Sequence, residues 1–273
     1  MNTNYYDKIF ETVHYIQSKI DKVPEIAMVL GSGLGELTER VNNPIVMDYK
    51  DIVNFPQSTI KGHKGQLVIG EYCDKQVLMM NGRFHYYEGY SMKDIAFPIY
   101  VMKFLGVKKL IITNSCGAIN PEIQPGDLVL IDDFISLVSD NPLFGINDDR
   151  LGPRFVDMTQ PYSQEIKDKF HSAAKSLNIN LREGVYGFFQ GPYYETRAEI
   201  RAFGQMGCDL IGMSSVPETI AANHCGLEVA AISCVTNMAT GLQDKKHSHE
   251  HVVEVANRVS KTLILLIEKM ISL

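Results

Sequence analysis

Gly62-His63-Lys64-Gly65 and Gly82-Arg83-Phe84-His85 each set a cationic or hydrogen-donating side chain beside glycine at the edge of an apolar run. Arginine presents a planar fork that matches the oxygens of an oxyanion, and histidine adds a donor near neutral pH. A third segment, Gly31-Ser32-Gly33-Leu34-Gly35, follows an apolar run and can offer backbone N–H groups to an anion where a helix starts. It is not the dinucleotide fingerprint, because Glu36 stands where that pattern needs glycine, and it lacks the Lys-Ser/Thr of a P-loop. Singly, the glycine loop reads equally well as a plain turn, and each histidine motif reads better as a hydrogen-bonded surface or half-buried residue. Together, Ser32, His63, Arg83 and His85 predict an oxyanion pocket, without saying which oxyanion.

A second group of segments has different chemistry. Gly191-Pro192-Tyr193-Tyr194-Glu195-Thr196 joins a rigid turn, aromatic faces that stack on planar rings, and a carboxylate that accepts hydrogen bonds from ring N–H groups. The plain alternative is a helix N-terminus with Glu195 near its first turn. Gly212-Met213-Ser214-Ser215 and Thr236-Asn237 end apolar runs; the Asn237 amide suits the edge of a base, although Asn at such a place is commonly a turn former. The segment 114–120 (NSCGAIN) reads as a strand-to-loop turn that could add a backbone donor, with Cys116 as a packing residue. His247, His249 and His251 alternate and do not share one helix face, and HExxH is absent, so no metal site is expected. No Gly-x-Ser-x-Gly elbow supports a serine nucleophile.

These segments need a scaffold. Val- and Ile-rich runs at 25–30, 110–113, 128–131, 209–212 and 229–235 predict buried strands, and 67–71 with 76–80 predict a hairpin around 72–75. The Gly31–Gly35 loop is expected to lead into a helix. Helical patterns cover 91–105 and 163–177, and Val252, Val255, Val259, Leu263, Leu266 and Met270 mark a last helix with Ser248 as its expected N-cap. Strands alternating with helices imply an α/β fold around a central sheet, where ligand-contacting residues gather at strand ends. No linker or repeat interrupts the 273 residues, so one domain over 1–273 is expected. A net charge of −6 argues against a general nucleic-acid binder. The apolar run 263–267 is too short to span a bilayer, and charges at Asp7, Lys8, Glu11, Lys19, Asp21 and Lys22 break up any signal-peptide core. Five cysteines without a Cys-x-x-Cys pair suggest the reducing cytoplasm.

The ordered series GSGLG (31–35), GHKG (62–65), NGRFHYYEGY (81–90), TNSCGAINP (113–121), GPYYET (191–196), GMSSVPE (212–218) and TN (236–237) resembles the low-molecular-mass, typically homotrimeric purine nucleoside phosphorylases. The resemblance runs from Gly31 to the last helix. It implies a single-domain nucleoside phosphorylase fold whose mixed sheet forms a distorted barrel flanked by helices. It also implies a purine-salvage enzyme, a pentosyltransferase that splits 6-oxopurine (deoxy)ribonucleosides with inorganic phosphate as co-substrate and needs no cofactor. By similarity Ser32, His63, Arg83, His85, Ser115 and Ser214 bind phosphate, Ser115 through its backbone. Tyr87 and Met213 bound the ribose, and His249 reaches its 5′-hydroxyl. Glu195 and Asn237 hold the purine, with Tyr194 against its face, and His85, Glu195 and Asn237 carry the catalysis. Phe155 is donated to the neighbouring subunit's site. Tyr194 stands where Phe is frequent in the family, and Ser115 where Ala is frequent. Two rivals remain at this point: a 5′-methylthioadenosine phosphorylase of the same fold, and a non-catalytic nucleoside- or anion-binding protein. An Asp at 237 would have pointed to adenine; the amide points to hypoxanthine and guanine.

Overall fold

Residues along the central strands alternate between two faces, and helices cover both. The computed structural model describes residues 4–60, 64–243 and 249–273, with 249–251 as backbone only. Among them run, in chain order, α1 (Tyr5–Gln17), β1 (Ile26–Leu30), β2 (Asn42–Asp48), β3 (Gln66–Tyr72), β4 (Lys75–Asn81), α2 (Met92–Leu105), β5 (Lys109–Ala118), β6 (Leu128–Ser136), α3 (Gln164–Leu177), β7 (Leu181–Phe188), α4 (Arg197–Gln205), β8 (Leu210–Gly212), α5 (Val216–His224), β9 (Glu228–Met238) and α6 (His249–Ile271). In β1, Ala27 and Val29 share a core with α1, α2 and α5, while Met28 and Leu30 share another with α3 and α6. β5 and β9 repeat the pattern: Leu110, Ile112, Val229 and Ala231 face one side, Ile111, Ala230 and Ile232 the other. Burial on both faces is why these strands read as unbroken apolar runs.

The strands form one mixed sheet in the order β2-β3-β4-β1-β5-β8-β7-β6-β9, and β5 also pairs with β9. That extra parallel pairing closes β5, β8, β7, β6 and β9 into a five-stranded barrel and leaves β2, β3, β4 and β1 as an open extension. The α/β sheet expected from the strand and helix pattern is therefore present, and so is the distorted barrel that the family resemblance implies. Where β5 meets β9 the register slips: Cys116 pairs with Val235 but Gly117 with Asn237, so Thr236 is an extra residue in β9. Such a bulge bends a strand and re-aims its side chains. It falls at the edge of the cavity described below.

Helix starts follow local chemistry. The Ser91 hydroxyl accepts from Asp94 N, and the Asp94 carboxylate accepts from Ser91 N, a reciprocal cap for α2. Thr196 and Glu199 cap α4 in the same way. Glu199 thus serves the first turn, and Glu195 is left for another task.

Several expectations change. The segment 114–118 is strand, because β5 runs on through Ala118 alongside β9. The loop after β1 leads into a 3-10 helix at Gly35–Arg40 rather than an α-helix. β2 and β7 gave no clear sequence signal: β2 is a largely exposed edge strand containing Pro44, and β7 opens with Arg182 and Glu183. The apolar stripe of α6 is buried as expected at Val255, Val259, Leu263, Leu266 and Met270, while its expected N-cap, Ser248, lies outside the described residues.

The β3–β4 hairpin turns on Cys73 and Asp74, both at positive φ (51° and 58°). Left-handed backbone costs a non-glycine residue about 1–2 kcal/mol, and such turns favour glycine at the second position. Asp74→Gly should therefore stabilise the protein by up to about 1 kcal/mol, a rise of roughly 2–4 °C in Tm. An unchanged or lower Tm would show that the turn holds no relievable strain.

Candidate active site

The segments singled out by their chemistry meet at one end of the sheet. The loop after β1 brings Gly31 and Ser32; the turn after β4 brings Arg83, His85 and Tyr87; β5 brings Asn114, Ser115, Cys116 and Gly117. Met213 and Ser214 follow β8, Thr236 and Asn237 end β9, and Tyr194 and Glu195 precede α4. Together they line one cavity, with convergent polar groups on its wall.

Arg83 anchors one end. Its side chain is 2% exposed, and Nε lies 3.2 Å from a carboxylate oxygen of Glu218, itself buried in the first turn of α5. Nη1 has Thr113 O at 3.0 Å, Ser214 Oγ at 3.0 Å and Ser215 Oγ at 3.3 Å. A buried cation held this way keeps its geometry, since losing its partner would leave an uncompensated charge. The Ser115 hydroxyl donates to Ser32 O at 3.3 Å, fastening β5 to the glycine loop.

His85 sits beside it. Glu88 Oε1 accepts from His85 N and lies 2.8 Å from His85 Nδ1, while Glu88 Oε2 accepts from Thr59 N and Thr59 Oγ1. Burial opposes charge on Glu88, but these hydrogen bonds outweigh it and bring the carboxyl down to about 2. Glu88 is therefore an acceptor, which puts the His85 proton on Nδ1 and leaves Nε2 of the neutral ring as an acceptor. Burial lowers the His85 pKa, opposed by Glu88. The His85 and Tyr87 rings stack at 4.6 Å between centroids.

The other end is built for a planar group. Glu195 is only 4% exposed, and burial lifts its carboxyl to about 7. Asn237 is held in place: Thr236 Oγ1 reaches its Oδ1 at 2.9 Å, and its Nδ2 donates to Met238 O at 3.0 Å, leaving a second N–H on that amide. A Cβ on Gly117 would come within 3.0 Å of Asn237 Nδ2, so the bare backbone of β5 leaves room for the amide. Gly191, at φ 67°, packs where a side chain would strike Met213 Sδ at 2.6 Å. It sets the turn that carries Tyr194 and Glu195 across the cavity.

Ser32, Arg83, His85, Tyr87, Ser115, Tyr194, Glu195, Met213, Ser214 and Asn237 thus share one cavity. His63 lies outside the described residues, as does the side chain of His249, of which only the backbone at the start of α6 is described. Phe155 is elsewhere, 87% exposed on a surface loop. Thr59 escaped the sequence reading, while Glu88, Asn114, Ser215 and Glu218 fell inside segments it singled out without being given their side-chain roles. Only the acidic residue three positions after His85 carried a usable signal. Among the described residues no group of three or more His, Cys, Asp or Glu side chains could hold a metal ion.

A barrel-closed α/β sheet with a cationic pocket beside a carboxylate–amide pair defines a class of phosphate-using nucleoside enzymes, and comparison with known proteins narrows it. Residues 25–272 match the phosphorylase superfamily. The chain is 44% identical over 266 residues to purine nucleoside phosphorylase 1 of Bacillus subtilis, spanning 97% of this chain and 98% of that one. Its fold matches Schistosoma mansoni purine nucleoside phosphorylase in complex with inosine at a TM-score of 0.93 and 37% identity, covering 97% and 96% of the two chains. It matches isoform 2 of the Schistosoma mansoni enzyme, in complex with cytosine and ribose-1-phosphate, at 0.94 and 39%, covering 98% and 96%. The chain belongs to the phosphorylase superfamily and, within it, to the purine nucleoside phosphorylases.

The raised Glu195 carboxyl makes stability depend on pH. Its pKa is higher folded than unfolded, so its contribution is fully present below 4.5 and is lost as pH rises through about 7. Glu195→Gln, which has no charge to bury, should gain on the wild type across that window by up to about 3 kcal/mol. Thermal melts at pH 4.5 and pH 8 check this: a Tm difference that does not change between them would mean that the carboxyl titrates normally.

Proposed function

We propose that this protein cleaves the N-glycosidic bond of 6-oxopurine nucleosides such as inosine and guanosine, with inorganic phosphate as nucleophile. The products are free base and (deoxy)ribose 1-phosphate, as purine salvage requires. The observation that carries the reading is the two-ended cavity: Arg83, His85, Ser32 and Ser214 at one end, Glu195 and Asn237 at the other. The relatives' names, and the Schistosoma mansoni structures with inosine and with ribose-1-phosphate, support it.

The reaction follows from these groups. As the glycosidic bond breaks, positive charge develops on the ribosyl ring and electrons flow into the base. Phosphate held against Arg83 stabilises that cation and then attacks C1′. The neutral His85 ring, with Nε2 as acceptor, takes a proton from a phosphate hydroxyl and thereby favours the more nucleophilic anion. Asn237 donates to N7 or O6, where negative charge builds, and ionised Glu195 accepts from N1–H. Tyr87 and Met213 bound the ribose, Tyr194 lies along the base, and His63 and His249 complete the phosphate and 5′-hydroxyl contacts. Phosphate is itself the nucleophile, so these steps call for neither metal nor organic cofactor.

The proposal extends to assembly and setting. Residues 1–273 act as one phosphorylase domain and associate as a homotrimer in which Phe155 enters the neighbouring subunit's site. Phe155 shares its stretch of chain with Leu137, Phe144 and Ile146, all solvent-facing large apolar residues of the kind that subunit contacts cover. The free thiols of all five cysteines suit a reducing cytoplasm. Among the described residues no helix is long and apolar enough to cross a membrane.

Inosine and guanosine should be cleaved only when phosphate is present, and chelator should not slow the reaction. Equal cleavage in phosphate-free buffer would make the protein a hydrolase. Binding of nucleoside without any ribose 1-phosphate would make it a binding protein.

Asn237→Asp should cut 6-oxopurine activity and shift relative kcat/KM toward adenosine. An ionised Asp has no proton for O6 or N7 but can accept from an exocyclic amino group. A site built to hydrogen-bond a substrate group discriminates against analogues lacking it by up to about 10⁴-fold. Comparing inosine with adenosine in the folded variant decides the matter: an unchanged ratio would reduce Asn237 to a structural residue and reopen the methylthioadenosine reading.

A further inference from the structure

Three polar side chains under the phosphate end have no assigned role: Asn114 in β5, Ser233 in β9 and Ser215 between β8 and α5, each 0–1% exposed. They form a chain. Ser233 Oγ donates to Asn114 Oδ1 at 2.9 Å, and Asn114 Nδ2 donates to Ser215 Oγ at 2.9 Å. Ser215 Oγ also receives Arg83 Nη1 and lies 3.3 Å from Ser214 Oγ. Ser215 itself occupies a one-residue turn at φ 73°, ψ −36°, closed by Val216 N donating to Ser214 O at 2.9 Å. This conformation is rare and strained for a non-glycine residue.

Counting donors gives the chain a direction. A hydroxyl has one proton and two lone pairs, and a guanidinium only donates. Asn114 Nδ2 and Arg83 Nη1 can only donate, so among these three neighbours Ser214 Oγ alone can take the Ser215 proton. Ser214 Oγ then accepts from Ser215 and from Arg83 Nη1, at 3.0 Å, and its own proton must point elsewhere. Ser214 lines the cavity, and the Tyr186 phenol on its other side feels its hydroxyl, but the phenol oxygen makes no hydrogen bond of normal geometry, which leaves the cavity side for the Ser214 proton.

We infer that Ser233, Asn114 and Ser215 are positioning residues whose one-way hydrogen-bond chain turns the Ser214 hydroxyl proton toward the bound phosphate. This rests on the phosphorolytic reading above. The strained turn holds the Ser215 hydroxyl between Asn114 and Arg83. Reversing the Asn114 amide would reverse the chain, with Ser214 giving its proton to Ser215 and offering phosphate only lone pairs.

Ser215→Gly separates the hydroxyl from the backbone, because glycine accepts positive φ without strain. The variant should fold with a Tm no lower than the wild type by more than a few degrees. Its KM for phosphate should rise about tenfold or more, the loss expected for a hydrogen bond to a charged group. Its KM for inosine should stay within about twofold. Asn114→Leu should show the same split, and Ser215→Thr, which restores a hydroxyl, should return phosphate KM toward the wild-type value. A phosphate KM that falls or stays unchanged in folded Ser215→Gly would overturn the inference, as would equal rises for both substrates. Wild-type protein assayed in parallel separates the two claims: if it shows no phosphate-dependent cleavage, the function is wrong rather than the chain.

Discussion

A guanidinium that is almost wholly out of water organises this molecule. Arg83 cannot shed its charge, so burying it demands an anion and acceptors at fixed places. Glu218 supplies the anion, and Thr113 O, Ser214 and Ser215 supply acceptors. These come from β5, the turn between β8 and α5, and the first turn of α5, all far from Arg83 in sequence. Their convergence constrains how the open half of the sheet meets the barrel. It also leaves a fixed positive site at the cavity wall, a geometry that an incoming anion need not organise.

The base end depends on a different constraint. Closing the barrel through β5 and β9 places two long strands side by side, and the extra residue Thr236 breaks their register where they reach the cavity. The bulge delivers Asn237 opposite Gly117, whose missing side chain leaves the amide its space. Glu195 approaches from the far wall, released from helix capping by the Thr196–Glu199 pair. Its burial has an electrostatic cost, which lifts its carboxyl to about 7. A base with an N–H donor would offset it, so binding and protonation at this residue are linked.

Much of the site was legible in the chain because its chemistry is local. Glycine beside Arg83 and His85, or an aromatic–carboxylate turn at 191–196, declares itself within a few residues. The same holds for the buried strands, whose unbroken apolar runs reflect packing on both faces. β2 stayed hidden because an exposed edge strand needs no hydrophobic pattern, and β7 because charged residues open it.

The sequence by itself determined most of the buried strands and the longer helices, the anion-binding and base-binding chemistries, and the family to which they belong. Only the tertiary structure decided which residues serve the ones that were visible. Glu218 became the counter-ion of Arg83 across 135 positions of chain, a pairing set by where α5 begins rather than by any spacing. Asn114 and Ser233 looked like a turn former and a strand serine until β5 and β9 lay side by side and buried them together. Hydrogen-bond direction, a displaced carboxyl pKa and a strained turn at Ser215 exist only once burial removes water as the alternative partner, and no linear pattern records that removal.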